Sequence, residues 1–160
     1  MNDETRLRSE ARMLRRDEID ALLAFPMLAR LATARDNKPH VVPVWFDWDG
    51  ESLWIANDKS HRKIAELRVN PHVAVSIDQT CGGLRFWAVL MEGQAELIEE
   101  PEDFVREVTE RIYVKYMGKG AMGLPTLQRM LPEGELILVK FTPTKIITWN
   151  DADTGIGPIG

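Results

Sequence analysis

Residues 31–78 read "LATARDNKPHVVPVWFDWDGESLWIANDKSHRKIAELRVNPHVAVSID". Short apolar runs alternate with turn signals at a spacing that suits strands. "MLARLATA" (27–34) ends in the turn "RDNKP", and "HVVPVWFDW" (40–48) ends at Asp49-Gly50. "ESLWIAN" (51–57) follows directly, so residues 40–57 are expected to form a tight β-hairpin. "HVAVSID" (72–78) is a further strand. Between the last two lies one short helix within residues 57–71, with Ser60 as the expected N-cap and Asn70-Pro71 as the stop.

That helix breaks a rule which the rest of the chain obeys. Lys59, His61, Arg62 and Lys63 crowd its first turn. A helix N-terminus carries roughly half a positive charge, and each cation there costs about 0.3–1 kcal/mol. Elsewhere acids open the helices: Asp17, Glu18 and Asp20 in one, Glu99, Glu100, Glu102 and Asp103 in another. Two readings remain open on the residues alone. The long side chains reach into water, where screening removes most of the cost. Alternatively, the first N–H groups join Lys63 and its basic neighbours to form a phosphate site.

Outward from this stretch, residues 17–25 place Ile19, Leu22 and Leu23 on one helical face that ends before Pro26. "QTCGG" (79–83) is expected as a loop, and residues 84–99 as one long strand, bent or bulged at Gly93. A helix is expected over 101–116, with Phe104, Val108, Ile112 and Tyr116 at steps of four. "MGKGAMGLP" breaks it, a short helix near 125–131 follows, and residues 135–149 form two strands parted at Thr142-Pro143. Six or seven hairpin-connected strands with peripheral helices make an antiparallel barrel over 17–149, between a polar arm (1–16) and a tail (150–160). Leu84, Phe86, Ala88 and Leu90 face one way, Trp87, Val89 and Met91 the other. Both faces need cover, and a second subunit is the expected source, the chain's own helices being the alternative.

The 160 residues, 44% hydrophobic and 28% charged, fit one globular domain. A net charge of −5 argues against a nucleic-acid binder. No apolar run approaches the roughly 18–20 residues of a membrane span, and the first residues lack the apolar centre of a secretory signal. One cysteine, Cys81, excludes an internal disulfide and suits a reducing cytoplasm, the expected location. His40, His61 and His72 lack metal-ligand spacing, and Ser60-His61 is no triad signature.

The order of these elements resembles the pyridoxamine 5′-phosphate oxidase-like, FMN-binding split-barrel superfamily. It is most similar there to the flavin and deazaflavin (F420-dependent) oxidoreductases. Further matches lie in "MEGQAELIEE" (91–100), "YVKYMGKG" (113–120) and "LILVKFTPTKIITW" (136–149), so the likeness covers about residues 17–149. It implies a split barrel, working as a homodimer, with FMN or F420 in a cleft between subunits. Lys63 matches the lysine held against the cofactor phosphate. Ser60, His61 and Arg62 match the basic or hydroxyl positions before it, near Asn57. The backbone of Val42, Pro43, Val44 and Trp45 matches the strand along the tricyclic ring, and an edge position facing a ligand would accommodate Pro43.

The match has departures. Ala56 stands where a hydroxyl residue is frequent, and one extra residue separates Asn57 from Lys63, so Ser60 and His61 compete for one contact. The C-terminal segment that completes a vitamin B6 site has no counterpart, which makes pyridoxamine phosphate oxidation the less expected activity. The resemblance implies hydride transfer to or from a small conjugated or quinone-like substrate. F420 is slightly favoured over FMN by "PVWF" and "KYMGKG", with Lys38, Lys59, Arg62 and Arg68 available to its anionic tail. The cofactor carries the chemistry, so no catalytic side chain is expected. Trp45 and Trp149 are candidate ring walls and Tyr113 and Tyr116 candidate caps, while Trp54 and Trp87 read as core. The alternative is a non-enzymatic FMN or haem binder, with His40 or His61 as axial ligand.

Overall fold

The computed structural model describes residues 13–81, 85–125 and 134–150. Its elements run α1 (Arg16–Leu23), β1 (Ala29–Arg35), β2 (Lys38–Val44), β3 (Asp47–Trp48), β4 (Leu53–Asp58), α2 (Arg62–Leu67), β5 (His72–Cys81), β6 (Arg85–Ile98), α3 (Glu102–Met117) and β7 (Leu136–Asn150). A 3₁₀ turn, Lys119–Gly123, follows α3. The strands form one seven-stranded antiparallel sheet in the order β2-β1-β5-β6-β7-β4-β3.

That order and the chain's connectivity together demand a barrel. β2 and β3 are the two outer strands of the sheet, yet only Trp45 and Phe46 join them. Laid flat, strands at opposite edges would stand about 29 Å apart at ~4.8 Å per step. Three peptide links span at most about 11 Å. The sheet therefore curls until its edges meet at Trp45-Phe46, which is the seam of a split barrel. Phe46 turns inward and is fully buried with Leu31, Leu53, Val75, Met91 and Phe141 in the main core. A second core seats α3 on the barrel through Val105, Val108 and Ile112, against Trp54 and Leu138.

Local chemistry sets the turns. Asp36 and Asn37 adopt φ of 51° and 58°, the left-handed pair of a two-residue hairpin turn that joins β1 to β2. Asp49 shapes the β3–β4 turn. Its Oδ1 accepts from the N–H groups of Glu51 (2.8 Å) and Ser52 (2.7 Å), and its Oδ2 from Trp54 Nε1 (2.7 Å).

Four expectations change. Residues 40–57 are not one hairpin: β2 pairs with β1, and only the short β3 pairs with β4. The alternation of "HVVPVWFDW" continues across the seam, so the break leaves no local mark. Residues 136–150 form one strand rather than two, because Pro143 faces Gly93 next to Thr144, the β7 residue that the β6–β7 register skips, where a missing N–H is tolerated. Gln79, Thr80 and Cys81 belong to β5 rather than to a loop. His61, not Ser60, occupies the N-cap of α2 and makes no side-chain cap bond.

The expected helix near 125–131 lies almost wholly outside the described residues, as does most of the polar arm, and Leu84 and the side chain of Phe86 also fall outside them. On β6, Ala88, Val89 and Met91 are buried and Trp87 and Leu90 half-buried.

Gly93 is where β6 and β7 come too close for a side chain. A Cβ there would stand 2.3 Å from the Thr142 carbonyl oxygen and 2.9 Å from Pro143 Cα. Gly93→Ala is expected to destabilise by about 1–3 kcal/mol through overpacking, read as a fall of several degrees in Tm. An unchanged Tm would contradict the register.

Candidate functional site: the cleft at the barrel seam

A cleft of about 340 Å³ opens at the seam. Pro43, Val44 and Trp45 form one side and Ala56 and Asn57, near the end of β4, another. His61 and Lys63 enter from the start of α2, Ile112 and Tyr113 from α3, and Leu28 from the segment before β1. The wall is mostly apolar and aromatic. Six of the nine residues expected around a cofactor thus share one cavity: Pro43, Val44, Trp45, Asn57, His61 and Lys63. Pro43 does sit in an edge strand, as its missing N–H suggests.

The other three do not line it. Val42 packs against the main core. The Ser60 hydroxyl and N–H both donate to Asp58 Oδ1, at 2.6 and 2.8 Å. Arg62 Nε donates to Glu66 Oε1 at 2.7 Å, one helical turn along α2. Trp149 is 39% exposed on β7 and takes no part in the cleft.

The cations around α2 therefore have separate fates. Lys59 pairs with Glu99 at 3.4 Å and donates to the Gly134 carbonyl at 2.7 Å, and Arg68 pairs with the same Glu99 at 2.6 Å. Lys63 alone of the clustered Lys and Arg residues has no hydrogen bond or ion pair among the described residues, and it is half-buried in the cleft. Burial lowers its pKa, as expected for an ammonium stripped of water and given no partner.

Glu66 is a junction that composition does not reveal. It is 3% exposed. Its Oε2 accepts from Thr33 Oγ1 on β1 at 2.6 Å and lies 3.0 Å from His40 Nδ1 on β2. Burial alone would raise the carboxyl, but bonds from Thr33, His40 and Arg62 outweigh it and hold the group down at about 2.

Helix α3 clamps the seam from outside. Arg111 Nε bonds Asp47 Oδ2 at 2.6 Å. Lys115 Nζ donates to the Leu23 carbonyl at 2.7 Å and stands 4.0 Å from the Phe46 ring centre, and burial brings it to about 8. The Tyr116 hydroxyl donates to the Met27 carbonyl and accepts from Phe46 N–H at 3.2 Å, while burial raises the phenol to about 12. Trp45 stacks on Tyr116 at 4.8 Å and meets Tyr113 edge-on at 5.4 Å. Tyr116 is thus a pillar behind the cleft rather than its cap, and Tyr113 faces the cavity.

An antiparallel split barrel with an aromatic cleft at its seam, and inside it a lysine unpaired among the described residues, is the class that fold and site define. The chain belongs to the pyridoxamine 5′-phosphate oxidase family, whose pattern matches residues 16–150. An uncharacterized protein, RA0666, of Rhizobium meliloti (strain 1021) is 30% identical over 83 residues, 52% of this chain. The chain spans about half the length of that relative, 54%. A conserved hypothetical protein, Rv2991, of Mycobacterium tuberculosis superposes with a TM-score of 0.77 at 22% identity, over 92% of this chain and 91% of that one. An F420 reductase superposes with a TM-score of 0.62 at 24% identity, over 80% and 94% of the two chains. An FAD-binding protein of Mesorhizobium loti gives 0.66 at 19%, over 88% and 96%. At these identities the structures establish the fold.

Because Glu66 sits below its ordinary 4.5 in the folded chain, its stabilisation is complete above about pH 4.5 and lost as pH falls toward 2. A carboxyl so shifted contributes on the order of 3 kcal/mol at neutral pH. Urea denaturation of Glu66→Gln is expected to show most of that loss at pH 7 and a shallower decline on acidification. Parallel pH profiles for variant and parent would contradict the network.

Proposed function

We propose that the cleft binds the phosphate arm and ring of a flavin or deazaflavin, FMN or F420, and that the chain is an oxidoreductase. It would move a hydride to or from a small conjugated or quinone-like substrate. The observation that carries this reading is Lys63: a half-buried ammonium with no partner among the described residues, in an aromatic cleft. A phosphate is the group that would compensate it. Family membership and the likeness to an F420 reductase and an FAD-binding protein support a flavin-type cofactor.

Either cofactor, when bound, supplies the hydride chemistry. Lys63 neutralises the phosphate. Trp45 and Tyr113 flank the ring and exclude water. Burial raises the Tyr113 phenol above its ordinary range, and the protonated hydroxyl would be available to donate a hydrogen bond to the ligand. The two cofactors differ in charge beyond the phosphate. Resemblance to the deazaflavin branch favours F420, whereas the engagement of Lys59, Arg62 and Arg68 with Glu99 and Glu66 leaves less free positive charge for its tail. We propose further that a second copy covers the open side of the cleft, where Leu28 is 49% exposed, and the free edge of β2, where Val41 is 59% exposed. The non-enzymatic alternative for haem has one candidate ligand in the cleft, His61, since His40 does not line it.

Titration with FMN and with F420, followed by cofactor fluorescence, tests the reading. One of them is expected to bind at micromolar or tighter, and Lys63→Ala to weaken it about tenfold or more, ~1.4 kcal/mol. An anion raises the depressed pKa of Lys63, so binding takes up a proton and affinity falls as pH rises through the lysine's range. Failure of both cofactors to bind, or an affinity indifferent to Lys63, would reject the proposal.

A further inference from the structure

The cleft presents Lys63, while its neighbour Arg62 is withheld from it, and the fold contains a device that makes the choice. α2 has only six residues and no side-chain cap bond at its start. Ile64 and Leu67 bury one flank in the core and set which face of the helix turns inward. Successive residues on a helix stand about 100° apart, whereas residues four apart share a face. Arg62 and Glu66 therefore lie together, and Lys63 lies on another flank.

Glu66 holds Arg62 from a position outside the cavity. It is buried, does not line the cleft, and bonds to β1 through Thr33, to β2 near His40 and to Arg62 on its own helix. A carboxylate is a costly thing to bury unless it is fully bonded. An apolar side chain would fill the same space without binding Arg62. We propose that Glu66 is the positioning residue of the cleft: it fixes α2 against β1 and β2 and binds Arg62, so that Lys63 is the cation offered to the ligand's phosphate. This rests on the reading of the cleft as a cofactor-phosphate site.

The readout is selectivity for phosphate, not stability. FMN and riboflavin share the ring, and only FMN carries the phosphate. Both are titrated into the parent, Lys63→Ala, Glu66→Gln and Thr33→Val proteins, each checked for native circular dichroism. The parent is expected to bind FMN at least about tenfold more tightly than riboflavin, and Glu66→Gln to cut that preference to about threefold or less with riboflavin affinity little changed. Thr33→Val, which keeps the carboxylate, is expected to reduce the preference in the same direction, and it decides the matter should Glu66→Gln not fold. A folded Glu66→Gln, or failing that Thr33→Val, with undiminished preference overturns the assignment while Lys63→Ala still abolishes it. If Lys63→Ala also leaves the preference intact, the cleft reading falls and this inference with it.

Discussion

Two residues, Trp45 and Phe46, join strands that the hydrogen-bond order places at opposite edges of the sheet. That short reach is the constraint on which the molecule depends. It closes the barrel, and it forces a gap in the ladder at the point of closure. Phe46 fills the inside of the gap and Trp45 is left at its mouth. Along the same flank, α3 supplies Arg111, Lys115 and Tyr116 to hold the connection. The cleft is thus a by-product of closure, and its aromatic wall is the outer face of the same seam.

Charge is then distributed around that cleft by pairing. Glu99 holds Lys59 and Arg68, and Glu66 holds Arg62, at distances of 2.6–3.4 Å. Of the cations that crowd the start of α2, Lys59 is compensated by Glu99 from beyond β6 and Arg62 by Glu66 on the same helix. Among the described residues, Lys63 is the lysine or arginine of that group left without a partner, and it lies inside the cavity. α2 is also too short for its dipole to be the chief attraction for an anion, so a specific ammonium takes the place of a helix terminus. Glu66 joins α2 to β1 and β2 and holds Arg62 on its own flank of the helix.

Much of this was legible from the chain. The Asp36-Asn37 turn, the bulge at Gly93 and the apolar stripe of α3 are local patterns, and each appears in the structure where it was expected. The break at Trp45-Phe46 was not legible, because apolar alternation runs unbroken through it and only long-range pairing divides β2 from β3. Thr142-Pro143 misled for the opposite reason: a proline reads as a stop, yet here it sits beside Thr144, where the β6–β7 ladder is interrupted and needs no donor. In the site, Lys63 and the strand residues Pro43–Trp45 were found through resemblance and lie together. The pairing of Arg62 with Glu66 was available as an i, i+4 match on a helix. Thr33 and His40 were not, since they meet Glu66 from strands 26 to 33 residues away.

The most direct test of the central claim is a crystal structure of the protein grown with FMN or, if the titration selects it, F420. The account predicts the tricyclic ring beside Trp45 along the Pro43–Trp45 edge, with a phosphate oxygen within hydrogen-bonding distance of Lys63 Nζ and Arg62 still on Glu66. A ring bound away from the seam, or a phosphate held by other cations while Lys63 stays unpaired, would contradict it.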